Sequence, residues 1–422
     1  MTLAQKPSAE PYAGPWLAVR MFAAFAFAYF FSAMLRAVTA TLAPRFSADL
    51  GLTAADLGLL AGAYFLGFSA LQLPLGAALD RLGPRRVILS LTVLAVVGCA
   101  AFAMAQSLWG LVAARVLIGM GVSAGLMAPL TCYRRRFSPP AQLRANSWML
   151  MTGSLGMLAS TLPVQWMLPM WGWRGVFWAA AAGLAVAIAL MAWAVPRDPV
   201  PMASAGAAQA DSSRTDGYSD IFRHPAFVRS MPMGFFVYGG LIAVQALWAG
   251  PWLTRVAGWT SEQAAGGLFT INLCMLFAFM GWGIVMPRLA SRGLGADKLM
   301  AWGLPLNLIV LAVILLWPQR AGAGIWALWC VSCTVVSLSQ PAIAQAFPVT
   351  LAGRALSAFN LVIFGGVFCL QWGIGLAIDA LQAAGMDTVS AFRGAFGIFW
   401  LCCLASVLWF LRACAPGRTV AR

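Results

Sequence analysis

Long apolar stretches alternate with short polar ones along almost the whole chain. A helix that crosses the hydrocarbon core of a bilayer needs about 20 predominantly apolar residues, and stretches of this kind recur twelve times. We therefore predict an all-α membrane protein with twelve spanning helices. The predicted spans are residues 17–43, 57–79, 87–106, 108–132, 147–168, 175–195, 229–252, 263–286, 299–317, 322–347, 355–379 and 392–412.

One polar stretch is much longer than the others and divides the predicted spans into six and six. Residues 196–222 are rich in Pro, Ala, Ser and Asp and show no apolar helical face, which is typical of a flexible connector. We predict that they form a cytoplasmic linker between an N-terminal six-helix bundle at residues 1–195 and a C-terminal six-helix bundle at residues 223–422.

The composition excludes a soluble domain, because 62% of the 422 residues are hydrophobic and only 9% are charged. The net charge of +15 would suggest a nucleic-acid partner in a soluble protein, but in a membrane protein basic residues set the orientation. One predicted surface carries only five arginines, namely Arg45, Arg174, Arg255, Arg320 and Arg393. Most other Lys and Arg residues fall on the opposite surface. We predict a multi-pass protein of the inner (cytoplasmic) cell membrane, with both termini cytoplasmic and no nucleic-acid partner.

The loop between the second and third predicted spans has the most specific pattern. Gly76–Arg86 reads GAALDRLGPRR, and a stretch with so much charge cannot lie in hydrocarbon. Its spacing G-x-x-x-D-R-x-G-x-R-R closely resembles the loop between helices 2 and 3 of the major facilitator superfamily of secondary transporters. The resemblance implies two six-helix bundles related by a pseudo-two-fold axis around a central cavity, and transport by rocker-switch alternating access. It also implies gating roles for Gly76, Asp80, Arg81, Gly83, Arg85 and Arg86. A basic cytoplasmic loop without a switching role is the alternative.

Three weak echoes of one half in the other indicate an internal duplication. Each echo falls at the equivalent loop of its half, and the three occur in the same order. Pro287 stands where the first copy has Asp80, so the gating charge is predicted to differ between the halves. The echoes pair Gly76–Arg85 with Gly283–Arg292, Arg144–Ser147 with Arg354–Ser357, and Arg174–Phe177 with Arg393–Phe396.

Two arginines fall inside predicted spans, where an ionised side chain is costly and suggests a functional site. Arg36 precedes Pro44 by eight residues and Arg115 follows Ser107 by eight, so both lie about 12 Å below the outer surface. The superfamily resemblance places helices 1 and 4 at the central cavity. All 12 acidic residues fall in loops, tails or helix ends, so we expect the two guanidinium groups to attract an anion. Arg binds carboxylate or phosphate through two donors at once.

Helical spacing supplies neighbours for these arginines. Tyr29, Ser32 and Arg36 share one face of helix 1, while helices 7 and 11 each carry polar and aromatic residues on one face. An isolated amide in a span can instead bond to a neighbouring helix, and the pattern R-x-x-x-G-x-G at Arg115 resembles a widespread superfamily motif, so these roles stay open. The predicted substrate-binding residues are Arg36, Arg115, Tyr29, Ser32, Tyr64, Gln245, Trp248, Asn360 and Gln371.

We predict a secondary active or facilitative transporter of a small organic anion of the carboxylate or phosphate class. It is expected to be a monomer in the lipid bilayer, without enzymatic activity, cofactor or metal. One alternative is a drug or metabolite exporter. Another is a copper importer, since Met231, Met233 and the pair Cys330 and Cys333 are soft ligands. The coupling ion and the direction of transport stay open.

Overall fold

The computed structural model describes residues 12–197 and 216–414. Within these ranges the side chain of Asp80 is among the few that lie outside the description. The described chain is almost entirely helical, and its helices overlap all twelve predicted spans. Ten helical segments are long and apolar enough to cross a membrane, and a bent pair of helices makes an eleventh. The remaining predicted span, residues 147–168, is divided between two helices, as described below.

The first half contains six spans. We number them α1 (Pro15–Leu50), α2 (Ala54–Ala70 with Gln72–Leu82), α3 (Pro84–Met104), α4 (Leu108–Arg136), α5 (Pro139–Ala159 and residues 162–171) and α6 (residues 173–194). The boundary between α5 and α6 is the kink at Gly172 inside the helix Leu162–Ala194. Gly172 has a φ of 61°, a left-handed conformation that other residues rarely adopt.

The second half repeats this arrangement after a short additional helix, Asp216–Arg223. Its six spans are α7 (Pro225–Arg255), α8 (Ser261–Ser291), α9 (Ala296–Leu316), α10 (Ala323–Ala346), α11 (Val349–Ala383) and α12 (Thr388–Cys414).

The additional helix corrects the prediction for residues 196–222. Instead of a connector without an apolar face, its last part is helical, and Ile221 is fully buried against the second half. Ile221 joins Phe227, Ile343 and Phe359 in a small core, so a single well-placed side chain supplies the apolar face that the sequence pattern did not reveal. Residues 198–215 of the predicted linker lie outside the described part.

Several spans depart from regular α-helix near their middle. α2 bends by 41° after Ala70, and α7 contains two π-helical turns, Gly234–Tyr238 and Val244–Trp248. α10 tightens to a 3₁₀-helix at Thr334–Leu338, just before Pro341, which has no backbone N–H to continue the hydrogen-bond ladder. A π turn accommodates an extra residue, so it shifts which side chains share a helix face.

The two halves pack tightly against each other at one end, which we call the outer end after the orientation predicted from charge. Here α2 contacts α11 and α1 contacts α7, and at two glycines there is no room for a side chain. A Cβ atom on Gly250 of α7 would lie 2.5 Å from the carbonyl oxygen of Ala40 in α1, and one on Gly58 of α2 would collide with the backbone of Gln371 in α11. Glycine therefore allows the backbones to meet, and the outer end is closed.

Candidate functional site

Arg36 lies in α1 and is only partly buried. The hydroxyl groups of Tyr29 and Tyr64 lie close enough to its guanidinium group to accept hydrogen bonds from it. The ring centroid of Phe68, one turn beyond Tyr64 in α2, lies 5.9 Å from the guanidinium carbon, within range of a cation–π interaction. The first half thus surrounds one cation with aromatic side chains.

The second half completes this environment from the opposite side. Tyr238 of α7 lies near Arg36 and Tyr29, and the ring centroid of Phe364 in α11 lies 4.6 Å from that of Phe68. Arg36, Phe68, Tyr238 and Phe364 come from four different helices, two in each half, and all four are partly exposed. We call the following set the Arg36 site: Tyr29, Ser32, Arg36, Tyr64, Phe68, Tyr238 and Phe364.

Two polar groups of the Arg36 site have no hydrogen-bond partner among the described residues. They are the Nε of Arg36 and the hydroxyl of Ser32, both buried atoms. The hydroxyl of Tyr64, by contrast, donates to the carbonyl oxygen of Ser32 at 3.3 Å. Buried polar groups are normally paired with protein or ordered water, so the unpaired groups mark a place where a ligand or water can bind.

Arg115 lies at the same level but in different surroundings. It is fully buried, and its Nη1 donates to the carbonyl oxygen of Leu35 at 3.0 Å. Its Nη2 donates to the hydroxyl of Thr39, and its guanidinium lies 5.4 Å from the ring centroid of Tyr64. Arg115 therefore ties α4 to α1 directly behind Arg36. Its terminal nitrogens are bonded to protein, whereas its buried Nε, like that of Arg36, has no partner among the described residues.

Three other predicted ligands form bonds between helices near the outer end. Gln245 donates from Nε2 to Asn272 of α8 at 2.8 Å. Trp248 donates from its indole nitrogen to the carbonyl oxygen of Gln371 at 3.1 Å, and Gln371 donates from Nε2 to the carbonyl oxygen of Ala243 at 3.4 Å. These bonds hold α7 to α8 and α11, as expected for isolated amides in spans.

Asn360 is also paired with protein, since its Oδ1 accepts a hydrogen bond of 2.8 Å from Nε2 of Gln340 in α10. The structure thus brings together Arg36, Tyr29, Ser32 and Tyr64 of the predicted set. Sequence reasoning left out Phe68, Tyr238 and Phe364 from that set. Phe68 follows Tyr64 by four residues, a spacing that places both on one face of α2 and could have identified it.

Comparison with known proteins establishes the family. A sequence model described as "Major Facilitator Superfamily" matches residues 25–371. The chain belongs to the Major Facilitator Superfamily. The predicted fold class, two six-helix bundles around a central cavity, is thereby confirmed, and the chain is a multi-pass membrane transporter.

Among curated superfamily members, the chain is 27% identical over 344 residues to the probable metabolite transport protein CsbC of Bacillus subtilis (strain 168), which covers 77% of this chain and 69% of that protein. The structure resembles an inward-facing, unoccupied bacterial homologue of the human lysosomal transporter Spinster, with a TM-score of 0.72, 16% identity, and 95% and 96% of the two chains covered. It also resembles the nucleoside transporter NupG, with a TM-score of 0.73, 11% identity, and 95% and 100% covered. At these identities the structural likeness establishes the fold alone.

The superfamily loop between α2 and α3 is turned by Gly83, whose φ of 81° requires glycine. Arg85 donates from Nη2 to the carbonyl oxygen of Ala192 at the end of α6, at 2.7 Å, which holds the loop to its own half. Gly76 faces open space, and Arg81 and Arg86 are exposed. The side chain of Asp80 lies outside the described part, so the gating role of the loop stays a prediction.

Proposed function

We propose that the protein transports a small organic anion bearing a carboxylate or phosphate group, by alternating access around the Arg36 site. The observation that carries the proposal is the partly exposed guanidinium of Arg36, enclosed by aromatic side chains of both halves. Each acidic residue within the described ranges lies between helices or near a helix end. No carboxylate of the described spans therefore neutralises Arg36, and an anionic ligand can do so.

Arg115 has a supporting role in this proposal. Its bonds to Leu35 and Thr39 fix the turn of α1 that carries Arg36. Its positive charge also strengthens the attraction of the site for an anion, because charges act over longer distances where water is scarce. We assign direct contact with the anion to Arg36 and a positioning role to Arg115.

Energy coupling follows from the same distribution of charges. The single histidine, His224, lies at the start of α7, where its Nδ1 accepts a hydrogen bond from the backbone N–H of Ala226. Neither a histidine nor an acid of the described spans faces Arg36. We therefore propose that a coupled proton, where one is used, travels with the substrate or through water.

Transport by purified protein in liposomes tests the proposal. The flux of carboxylates and phosphates should fall by roughly 10- to 100-fold in Arg36→Gln, as expected for the loss of charge-assisted hydrogen bonds. Arg45→Gln removes the same charge from the exposed outer end of the same helix and should transport like the wild type. Unchanged anion flux in Arg36→Gln, at equal protein content, would show that the assignment of Arg36 is wrong.

A further inference from the structure

We infer that the anion carries a single negative charge next to a flat aromatic body. This inference rests on the proposed function and narrows it. Arg36 and Arg115 provide two positive charges, but the terminal nitrogens of Arg115 are both bonded to α1. Of the two arginines only Arg36 is partly exposed, so the site offers one direct partner for one anionic group.

The aromatic side chains next to Arg36 determine which kind of ligand body fits beside the anionic group. Phe68 and Phe364 stand together at a centroid distance of 4.6 Å with their planes at 60°, and Phe364 also stacks at 6.2 Å on Phe65. With Tyr238, these rings supply faces and edges from both halves. Aromatic rings prefer offset-stacked or edge-to-face neighbours, so a planar aromatic ring is the body that this wall accommodates best.

The same wall disfavours a second charge. The face of an aromatic ring is electrically negative, and a second carboxylate beyond Arg36 would lose its water without gaining a cation. Burying an unpaired carboxylate is far more costly than burying an apolar group. The Arg36 site should therefore discriminate against dianions even though Arg36 and Arg115 are both positively charged.

Four small acids test the single charge and the aromatic body separately. The measurement is the effect of each acid on the thermal stability of the purified protein. We expect benzoate to stabilise the protein at concentrations about tenfold lower than terephthalate, cyclohexanecarboxylate or acetate. Phe364→Leu should weaken benzoate by roughly 2- to 10-fold, the range of an aromatic pair, and leave acetate unchanged. Phe277→Leu is the matched control, because Phe277 is 60% exposed on α8.

The possible failures are distinguishable. If terephthalate stabilises the protein as well as benzoate does, and this effect requires Arg36, the single-charge inference is wrong and the proposed function stands. If cyclohexanecarboxylate equals benzoate, the aromatic part is wrong. If no acid stabilises the wild type more than Arg36→Gln, the proposed function itself fails.

A second observation, at the outer end, concerns Asp379 of α11. Its two carboxylate oxygens accept hydrogen bonds from the backbone N–H groups of Ala54 (3.1 Å) and Ala55 (2.8 Å), the first residues of α2. The side chain of Thr53 accepts the next N–H, from Asp56. An acid of the second half thus satisfies two of the donors that the first turn of a helix leaves free, and the helix dipole favours its negative charge.

We propose that Asp379 is a latch that stabilises the outer-closed state. α2 and α11 belong to different halves, so opening the outer end must separate the carboxylate from Ala54 and Ala55. Gly375, one turn before Asp379, packs against the backbone of Ala54, which keeps the two helix ends close while the latch is formed. Loss of the carboxylate should therefore increase the population of outer-open molecules.

Spin labels on cysteines at Ala48 and Ala384 test the latch, in a background without reactive native cysteines. Asp379→Ala should raise the ratio of long to short label distances roughly fivefold, the effect of losing a helix cap. Asp379→Asn keeps a capping oxygen and should give a smaller rise.

Asp387→Ala is the matched control for the latch. Asp387 caps α12 within the second half, accepting from the N–H groups of Val389 and Ser390. Hydrogen bonds from Ser390 hold the pKa of Asp387 below its usual value, so the control also removes a charged cap. If the ratio of long to short label distances rises equally in Asp387→Ala and Asp379→Ala, or rises in neither, the latch proposal is wrong.

Discussion

Arg36 and Arg115 lie at one membrane level in the same half, yet they differ in exposure and in the groups that their terminal N–H groups contact. The terminal nitrogens of Arg115 donate to the backbone and side chain of α1, and the residue is fully buried. Arg36 directly follows Leu35 in α1. It is partly exposed and lies beside aromatic rings of both halves. A charge within a membrane span is therefore not enough to identify a ligand contact. The partners that the protein itself provides decide between a structural and a functional role.

The largest expected difference between the two arginines is in transport by folded protein. Arg36→Lys keeps the positive charge but loses the planar fork that binds carboxylate through two donors. We expect roughly tenfold weaker anion uptake, with normal yield and thermal stability. Uptake equal to that of the wild type, measured in the liposome assay, would indicate that charge alone matters at this position.

Arg115→Gln should instead affect folding. It removes two bonds from a charged donor to α1, one to the carbonyl oxygen of Leu35 and one to the hydroxyl of Thr39, and such bonds contribute about 1.5–3 kcal/mol each. We expect a melting temperature several degrees lower in detergent. A melting temperature equal to that of the wild type, combined with strongly reduced uptake, would move Arg115 into the group of direct ligand contacts.

Tyr238→Phe should have a smaller effect, confined to the Arg36 site. The substitution keeps the ring and removes only the hydroxyl, which lies near Arg36 and Tyr29 and can donate a hydrogen bond to a bound anion. We expect roughly threefold weaker binding of anions, in line with the loss of one hydrogen bond. Tyr12→Phe, at an exposed position near the N-terminus, is the control and should bind normally.

We expect the smallest effect on transport at the paired amides Gln245 and Asn272. Like Arg115 in the first half, Gln245 is bonded to a protein group of a neighbouring helix. A double-mutant cycle of Gln245→Ala and Asn272→Ala should give a coupling of about 1 kcal/mol in stability. The KM for transport should change less than twofold. A large rise in KM with no coupling would restore Gln245 as a substrate ligand.

Much of the fold could be predicted from the sequence because the physical constraint is strong. Apolar stretches of membrane-spanning length fixed the twelve spans, and the loop at Gly76–Arg86 identified the superfamily. The division of α5 was not predictable in this way, because its break at Ser160 and Thr161 lies inside a long apolar stretch. Ile221 likewise needed its partners in the folded second half to reveal the short helix that carries it.

The site was predicted less completely. Residue counting gives the depth of a side chain in the membrane, but it does not give the direction in which that side chain points. Counting residues placed Arg36 and Arg115 at one level, but it could not show that Arg115 points at α1. Regular helical spacing also placed Tyr238 and Gln245 on one face of α7. The two π-helical turns depart from that regular spacing. In the structure Tyr238 lies near Arg36, whereas Gln245 bonds to Asn272 of α8.

The most direct test of the contrast between the two arginines is anion binding by purified, folded protein. The dissociation constant of the best-binding anion from a panel of carboxylates and phosphates is measured for the wild type, Arg36→Gln and Arg115→Gln. We predict that Arg36→Gln weakens binding by roughly 10- to 100-fold, whereas the folded fraction of Arg115→Gln stays within about threefold of the wild type. Equal losses in both variants, or the greater loss in Arg115→Gln, would contradict the assignment of Arg36 as the contact for the anion.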